Sequence, residues 1–279
     1  MATNVAAATR PRILTRVGLD WLFAAPAILA LAFFSVPMVA LAWRATSSGE
    51  LGKNITSDLV LDSLRLSAIT STVTLLVAIM VGTPLAYLLA RRQFRGKIVV
   101  DMVLDLPIVL PPTVAGVALL VTLGRRGVIG ETLDASGLQI AFTTAAVVLA
   151  QLFVSAPFYI RTVKAGFEAV EPVYEGVAST LGASPLRTFW RVTLPLAWPS
   201  VVAGSILCWA RALSELGATL IFAGNLQGET QTMPLAIISA FESGRSINVP
   251  IALSVILVAA AAVLLLMLRL LERTAPARL

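Results

Sequence analysis

The stretch EAVEPVYEGVASTLGASPLRTFWRVTLPLAWPSVVAG, from Glu168 to Gly204, decides how this chain reads. It is a polar, helix-forming insert running into the second of two apolar segments, each long enough to cross a bilayer. Packing inside a membrane gives no reason to hold so long a structured loop in water. The insert is therefore expected to touch something on its own side of the bilayer. Pro172 suits the first turn of a helix, where its missing N–H is not needed. Val173, Val177, Thr180 and Leu181 then fall on one face. Gly182 stops that helix. Ser184 before Pro185 reads as an N-cap with proline at N1, opening a second helix through Leu186, Phe189 and Trp190. Leu194-Pro195 is expected to end it before the next apolar run. A short helix, a turn and a second helix, apolar on one face, suit helix-in-groove docking on a soluble partner.

The 279 residues around this insert are 58% apolar and 13% charged, with a mean hydropathy of +0.89. A soluble domain is nearer half apolar and a quarter charged, so the chain is an all-α polytopic membrane protein. There is no histidine and a single cysteine, Cys208, inside an apolar run. That leaves no basis for a disulfide framework, a zinc site or a haem site. The net charge of +6 reflects basic loops on one side of a membrane and not nucleic-acid binding. Arg10, Arg12 and Arg16 precede an apolar stretch, and Ala40-Leu41-Ala42 matches a signal-peptidase pattern. The stretch from Trp21 to Trp43 is nevertheless too long for a signal h-region and reads as a retained span.

Six spans are expected, at about residues 21–43, 66–90, 98–123, 140–163, 198–222 and 249–271, forming one transmembrane domain over 1–279. The insert occupies about 164–197. Met233 to Phe241 is apolar but too short to cross and reads as a re-entrant or surface helix. One set of loop ends carries fourteen basic residues: Arg10, Arg12, Arg16, Arg91, Arg92, Arg95, Lys97, Arg161, Lys164, Arg187, Arg191, Arg269, Arg273 and Arg278. The opposite set carries six: Arg44, Lys53, Arg65, Arg125, Arg126 and Arg245. The excess places both termini, and the insert, in the cytoplasm.

The membrane subunits of ATP-binding-cassette (ABC) importers carry a cytoplasmic signature of Glu-Ala-Ala, three residues, Gly, nine residues, Ile, one residue, then Leu-Pro. Here Gly182 is followed at that spacing by Val192 and by Leu194-Pro195. The triplet positions hold Gly176, Val177 and Ala178, with Glu175 one residue early. The chain thus resembles these importer subunits, in the type I arrangement. Asp105 to Leu120 (DLPIVLPPTVAGVALL) and Ala210 to Ile237 (ARALSELGATLIFAGNLQGETQTMPLAI) resemble permeases for tetrahedral oxyanions. The first part of the second stretch is similar to sulfate permeases, and GATLIFAGN with TQTMPLAI is closer to molybdate permeases. Ser214 stands where glycine is expected.

The resemblance implies a bacterial or archaeal plasma-membrane permease that carries molybdate, or tungstate, inward by alternating access. It implies a second copy of the chain, a cytoplasmic ATPase dimer that binds ATP and Mg, and an extracytoplasmic binding protein. It also implies that Glu175, Gly176, Val177, Ala178, Gly182, Ala183, Val192, Leu194 and Pro195 couple to the ATPase. No cofactor is expected in this chain. No G-x-x-x-x-G-K-[ST] loop is present, so ATP hydrolysis is assigned to a separate subunit. The rivals are sulfate or thiosulfate import by the same machine and an ion-coupled carrier. An integral-membrane enzyme is disfavoured because no nucleophile–base or metal-ligand cluster is evident.

Polar groups inside the spans supply candidates for a translocation path or gate: Pro111, Pro112, Thr113, Arg211, Ser214, Glu215 and Asn225. Arg211 and Glu215 are spaced to share a helix face in span five. They read either as an electropositive element of an anion path or as a self-neutralising packing pair. Pro107, Pro111, Pro112 and Gly116 are expected to kink span three, beside the path or simply for packing. Asp101 and Asp105, also four apart, are expected to pair with Arg91, Arg92, Arg95 or Lys97. Gly82, Gly116, Gly204 and Gly217 are expected at close helix contacts.

Overall fold

A computed structural model describes residues 16–49, 52, 57–244 and 246–274. Arg10, Arg12, Lys53, Arg245 and Arg278, which entered the charge comparison, lie outside the described residues, as do the two chain ends. The described residues form helices and connecting turns: α1 (Arg16–Ser47), α2 (Asp58–Arg91), α3 (Lys97–Val109), α4 (Pro112–Leu123), α5 (Gly130–Ala135), α6 (Thr144–Ala169), α7 (Pro172–Thr180), α8 (Pro185–Thr188), a π turn (Phe189–Thr193), α9 (Leu194–Leu213), α10 (Gly217–Phe222), α11 (Met233–Glu242) and α12 (Asn248–Thr274).

Among the described residues, four helical stretches are apolar and long enough to cross a membrane: Phe23–Ser47, Asp58–Arg91, Thr144–Ala169 and Pro185–Leu213. The bent pair α3–α4 makes a fifth if counted as one span. Helix α12 runs for 27 residues, about 40 Å at 1.5 Å per residue. The bundle is built on α6, which packs along both α2 and α9. Its interior joins Ala86 and Leu89 of α2 to Tyr159, Val163 and Phe167 of α6 and Cys208 of α9. A second apolar cluster joins Ala115 of α4, Val147 and Val154 of α6, and Ala218 and Phe222 of α10. Helix α1 leans on α12 and leaves Phe23, Leu29, Phe33 and Phe34 exposed. Ala40-Leu41-Ala42 lies within this unbroken helix.

Two expected spans are interrupted. Span three is two helices at 118° to one another, not a kinked rod. The cause is the Pro111-Pro112 pair. Each proline forces the residue before it out of the helical region. Leu110 (ψ 137°) and Pro111 (ψ 135°) are accordingly extended, and Pro112 restarts the chain at the first turn of α4. Span five stops at Leu213 and resumes at Gly217 as the short α10. Span four begins at Thr144 and not near Ile140, because the Thr143 hydroxyl caps α6 by accepting from the Ala146 N–H at 3.3 Å. The short helix expected at Met233–Phe241 is α11.

Polar side chains fasten this bundle internally. Thr74 of α2 donates to Gln151 Oε1 of α6 at 3.1 Å, and Gln151 Nε2 donates to Thr70 at 3.2 Å. Ser67 accepts the Met233 N–H at the start of α11 at 2.7 Å. Gln151 and Thr70 are fully buried, so each satisfied bond removes a desolvation penalty.

Candidate functional site

The insert folds into an elbow whose corner is set by local chemistry. Helix α7 opens on Pro172 and closes with a pair of bonds across its end. The Gly182 N–H donates to the Ser179 carbonyl at 3.0 Å, and the Ala183 N–H to the Ala178 carbonyl at 3.0 Å. That pairing needs a left-handed residue at the corner, and Gly182 has φ +80°. The Ser184 hydroxyl caps α8 by accepting from the Arg187 N–H, with Pro185 at the first turn. Leu194-Pro195 does not end the helix: α8, the π turn and α9 form one 29-residue rod, Pro185–Leu213. In the π turn the Leu194 N–H reaches back five residues to the Phe189 carbonyl. This wider winding brings the chain into α9 with Pro195 in its first turn, where a missing N–H is tolerated.

The elbow presents apolar side chains to the outside. Val173, Tyr174 and Val177 of α7 are each more than half exposed, Leu181 is 82% exposed, and Leu186 and Trp190 are also exposed. Gly176 lies open, while Ala178, Ala183, Val192 and Leu194 are half-buried. Glu175 points the other way. Its Oε1 accepts from Arg91 Nε at 3.0 Å and from the Thr193 hydroxyl at 2.8 Å. Arg91 Nη2 also donates to the Val170 carbonyl at 2.9 Å. One carboxylate thus ties α7 to the end of α2 and to the π turn. Phe189 stacks edge-on with Tyr87, ring centroids 5.0 Å apart, behind this tie. Arg91, expected beside Asp101 or Asp105, pairs with Glu175 instead, and Thr193 carries no sequence signal, because both contacts form only through the tertiary fold.

The aspartates of α3 have partners other than those expected. Asp105 is paired with Arg161, and Asp101 accepts from Lys164 Nζ at 2.7 Å, both on α6. Helix α3 packs along α6, which places these carboxylates against α6 and not against the α2–α3 loop.

At the break between α9 and α10, Arg211 Nη1 lies 2.9 Å from Glu215 Oε2, and the Glu215 side chain is 1% exposed. Glu215 sits beyond the helix end, not on a continuous helix face. Its Oε1 accepts from the Ala218 N–H at 2.8 Å, at the start of α10. This side-chain-to-backbone bond competes with continuation of the helix. Ser214 has φ −86°, an ordinary conformation, so the glycine expected there is not required. The break lies against the corner between α3 and α4. A Cβ on Gly217 would stand 3.0 Å from Pro112 Cβ and 3.2 Å from the Thr113 nitrogen. A Cβ on Gly116 would stand 2.8 Å from Ile221 Cβ. Pro112 and Thr113 thus meet the chain at Gly217, two residues beyond Glu215 and its partner Arg211, with Pro111 at the corner and Ser214 at the end of α9. Asn225 belongs to another set: its Nδ2 donates to Ser239 at 2.7 Å and its Oδ1 accepts from Gln231 at 2.9 Å. Gln231 and Ser239 escaped the sequence reading.

Residues 82–275 match the family described as binding-protein-dependent transport system inner membrane component. The chain belongs to that family. This permease is 44% identical over 243 residues to the molybdenum transport system permease protein ModB of Mycobacterium tuberculosis, covering 86% of this chain and 90% of the relative. It is 41% identical over 204 residues to the molybdate/tungstate transport system permease protein WtpB of Pyrococcus abyssi, covering 73% and 77%. Its fold is that of a chain in a bacterial ABC transporter involved in alginate import, with a TM-score of 0.74 at 17% identity, covering 94% of this permease and 98% of that chain. The MetNI methionine ABC transporter gives a TM-score of 0.63 at 16% identity, covering 79% and 100%.

Proposed function

We propose that this permease is the membrane-spanning subunit of an ATP-driven importer for molybdate or tungstate. The observation that carries the reading is its 44% identity, over 86% of its length, to a molybdenum permease. In this reading the elbow docks into a groove on a cytoplasmic ATPase through Val173, Val177 and Leu181. Gly176, Ala178, Gly182 and Ala183 shape that docking corner, and Val192, Leu194 and Pro195 lead it into α9. Glu175 acts from behind the face as a positioning residue. Movement of the groove passes through the continuous rod from α8 to α9 and, through Glu175 and Arg91, into α2.

Six crossings with both termini in the cytoplasm, a second copy of the chain and an extracytoplasmic binding protein complete the assembly. The crossing of α4 and α10 serves as a gate. Arg211, compensated by Glu215, leaves a weak positive potential there, which lets a dianion pass without being trapped. Size selection between oxyanions rests mostly with the binding protein.

The test is uptake into vesicles holding the permease and its ATPase, supplied with binding protein loaded with molybdate, tungstate or sulfate. Uptake of molybdate or tungstate that needs ATP and survives collapse of the proton gradient supports the reading. Gradient-driven uptake without ATP overturns it, and exclusive sulfate uptake overturns the substrate assignment.

A further inference from the structure

A cavity of about 730 Å³ lies between the end of α2 and the elbow. Its walls include Pro84, Tyr87, Leu88, Leu186, Phe189 and Trp190, and its cations are Arg91 and Arg92. Arg91 is neutralised by Glu175, which leaves one net positive charge at the cavity, on Arg92.

The cavity lies on the inward side of α7. Pro172 and Glu175, which line it, are on the opposite side of that helix from Val173, Val177 and Leu181. Taking the proposed docking as given, the ATPase covers the outward side, and the cavity remains between the elbow and the bilayer. The α2 wall continues along the membrane: Leu88, Pro84, Val81, Val77 and Val73 recur at helical spacing, and Leu88 and Val81 are exposed. An apolar track leading to a single cation, with tryptophan and tyrosine beside it, matches the layout of a phospholipid at the membrane interface.

We propose that this cavity binds one anionic phospholipid of the cytoplasmic leaflet, with its phosphate at Arg92 and an acyl chain along the Leu88–Val73 stripe of α2. A small inorganic anion would leave the apolar walls unfilled, whereas a lipid covers them. The bound lipid would brace α7 from behind, at the point where Glu175 ties it to α2.

The experiment uses the full permease with its ATPase in phosphatidylcholine nanodiscs doped with phosphatidylglycerol. Retained phosphatidylglycerol is counted by native mass spectrometry for the wild type, Arg92→Ala, Arg92→Lys and Leu88→Trp. Loss of one cation near a membrane surface corresponds to about fivefold weaker retention in Arg92→Ala. Recovery is expected in Arg92→Lys, and displacement in Leu88→Trp, where the indole fills the cavity. Equal retention in all four proteins overturns the proposal, as does displacement by inorganic phosphate alone. A photo-crosslinker placed at Trp190 should capture lipid; capture of the ATPase or of a second copy instead also overturns it. Retention is read without transport, so a failed lipid site and a failed importer give different results.

Discussion

Two Arg–Glu pairs sit in different parts of this permease, and they do opposite jobs. Arg91 and Glu175 are 84 positions apart in sequence and are both partly accessible, with side chains 13% and 22% exposed. Their bond joins separate elements: the end of α2, the elbow helix α7 and, through Thr193, the π turn. Arg211 and Glu215 are four positions apart, and Glu215 is almost completely enclosed. Their bond stays within one short piece of chain, where the same carboxylate accepts from the Ala218 N–H across the gap between α9 and α10. Neither member of the first pair is sealed from water, so that pair can transmit position between elements. In the second, Arg211 is 28% exposed but Glu215 is sealed, and removing the arginine strands a buried charge.

The largest effect expected from this contrast is at the enclosed pair. Arg211→Ala should destabilise the purified protein by about 3–5 kcal/mol, since it leaves the Glu215 carboxylate unpaired. Arg211→Ala with Glu215→Ala should be the milder lesion in thermal unfolding. A double variant worse than the single one would refute the self-neutralising reading. Next in size is Gly116→Val, which forces a side chain against Ile221 and the Ala218 carbonyl and should lower stability by about 1–3 kcal/mol. Transport assays should show an impaired crossing while the elbow still binds ATPase.

Gly182→Leu comes third. Nothing stands within 4 Å of a Cβ there, so the penalty is the left-handed backbone alone, about 1–2 kcal/mol. Its signature should be ATP hydrolysis uncoupled from uptake in a protein that still inserts; normal uptake would dismiss the elbow as a docking element. The smallest thermodynamic effect is Glu175→Gln, about 1 kcal/mol, because an amide oxygen can still accept from Arg91 and Thr193. It should nevertheless lower the amount of anion moved per ATP hydrolysed. An unchanged ratio would mean that the tie between α7 and α2 is merely structural.

The same contrast explains what the sequence reveals. The elbow is legible where its geometry is set within four residues: proline at a first turn, glycine at a left-handed corner, and serine before proline as a cap. The misreading of Leu194-Pro195 as a stop comes from the π turn, whose longer-reaching bonds lead the helix into proline without a break. The gap after Leu213 carries no proline, and Gly217 follows it. A carboxylate bonding to the Ala218 N–H creates it, and no periodicity rule registers such a bond. The prolines of span three predict a kink, but two consecutive prolines extend two residues and turn a kink into a corner. The partners of Asp101, Asp105 and Glu175 depend on which helices lie side by side. Gln151 was the nearest to a missed clue, since an amide deep in an apolar span must find a hydrogen-bonding neighbour.

The winding at Phe189–Thr193 has a practical corollary for the rod that contains it. A π turn absorbs one surplus residue while its two flanks keep the phase they would have in an uninterrupted helix. Deleting a single residue inside that turn should leave the elbow and the far end of α9 aimed as they are. The same deletion a few positions later, past Pro199, would swing Arg211 about 100° around the axis. Among the described residues of α9 and its lead-in, the chain thus carries its slack at one address, and tolerance to shortening should be confined there.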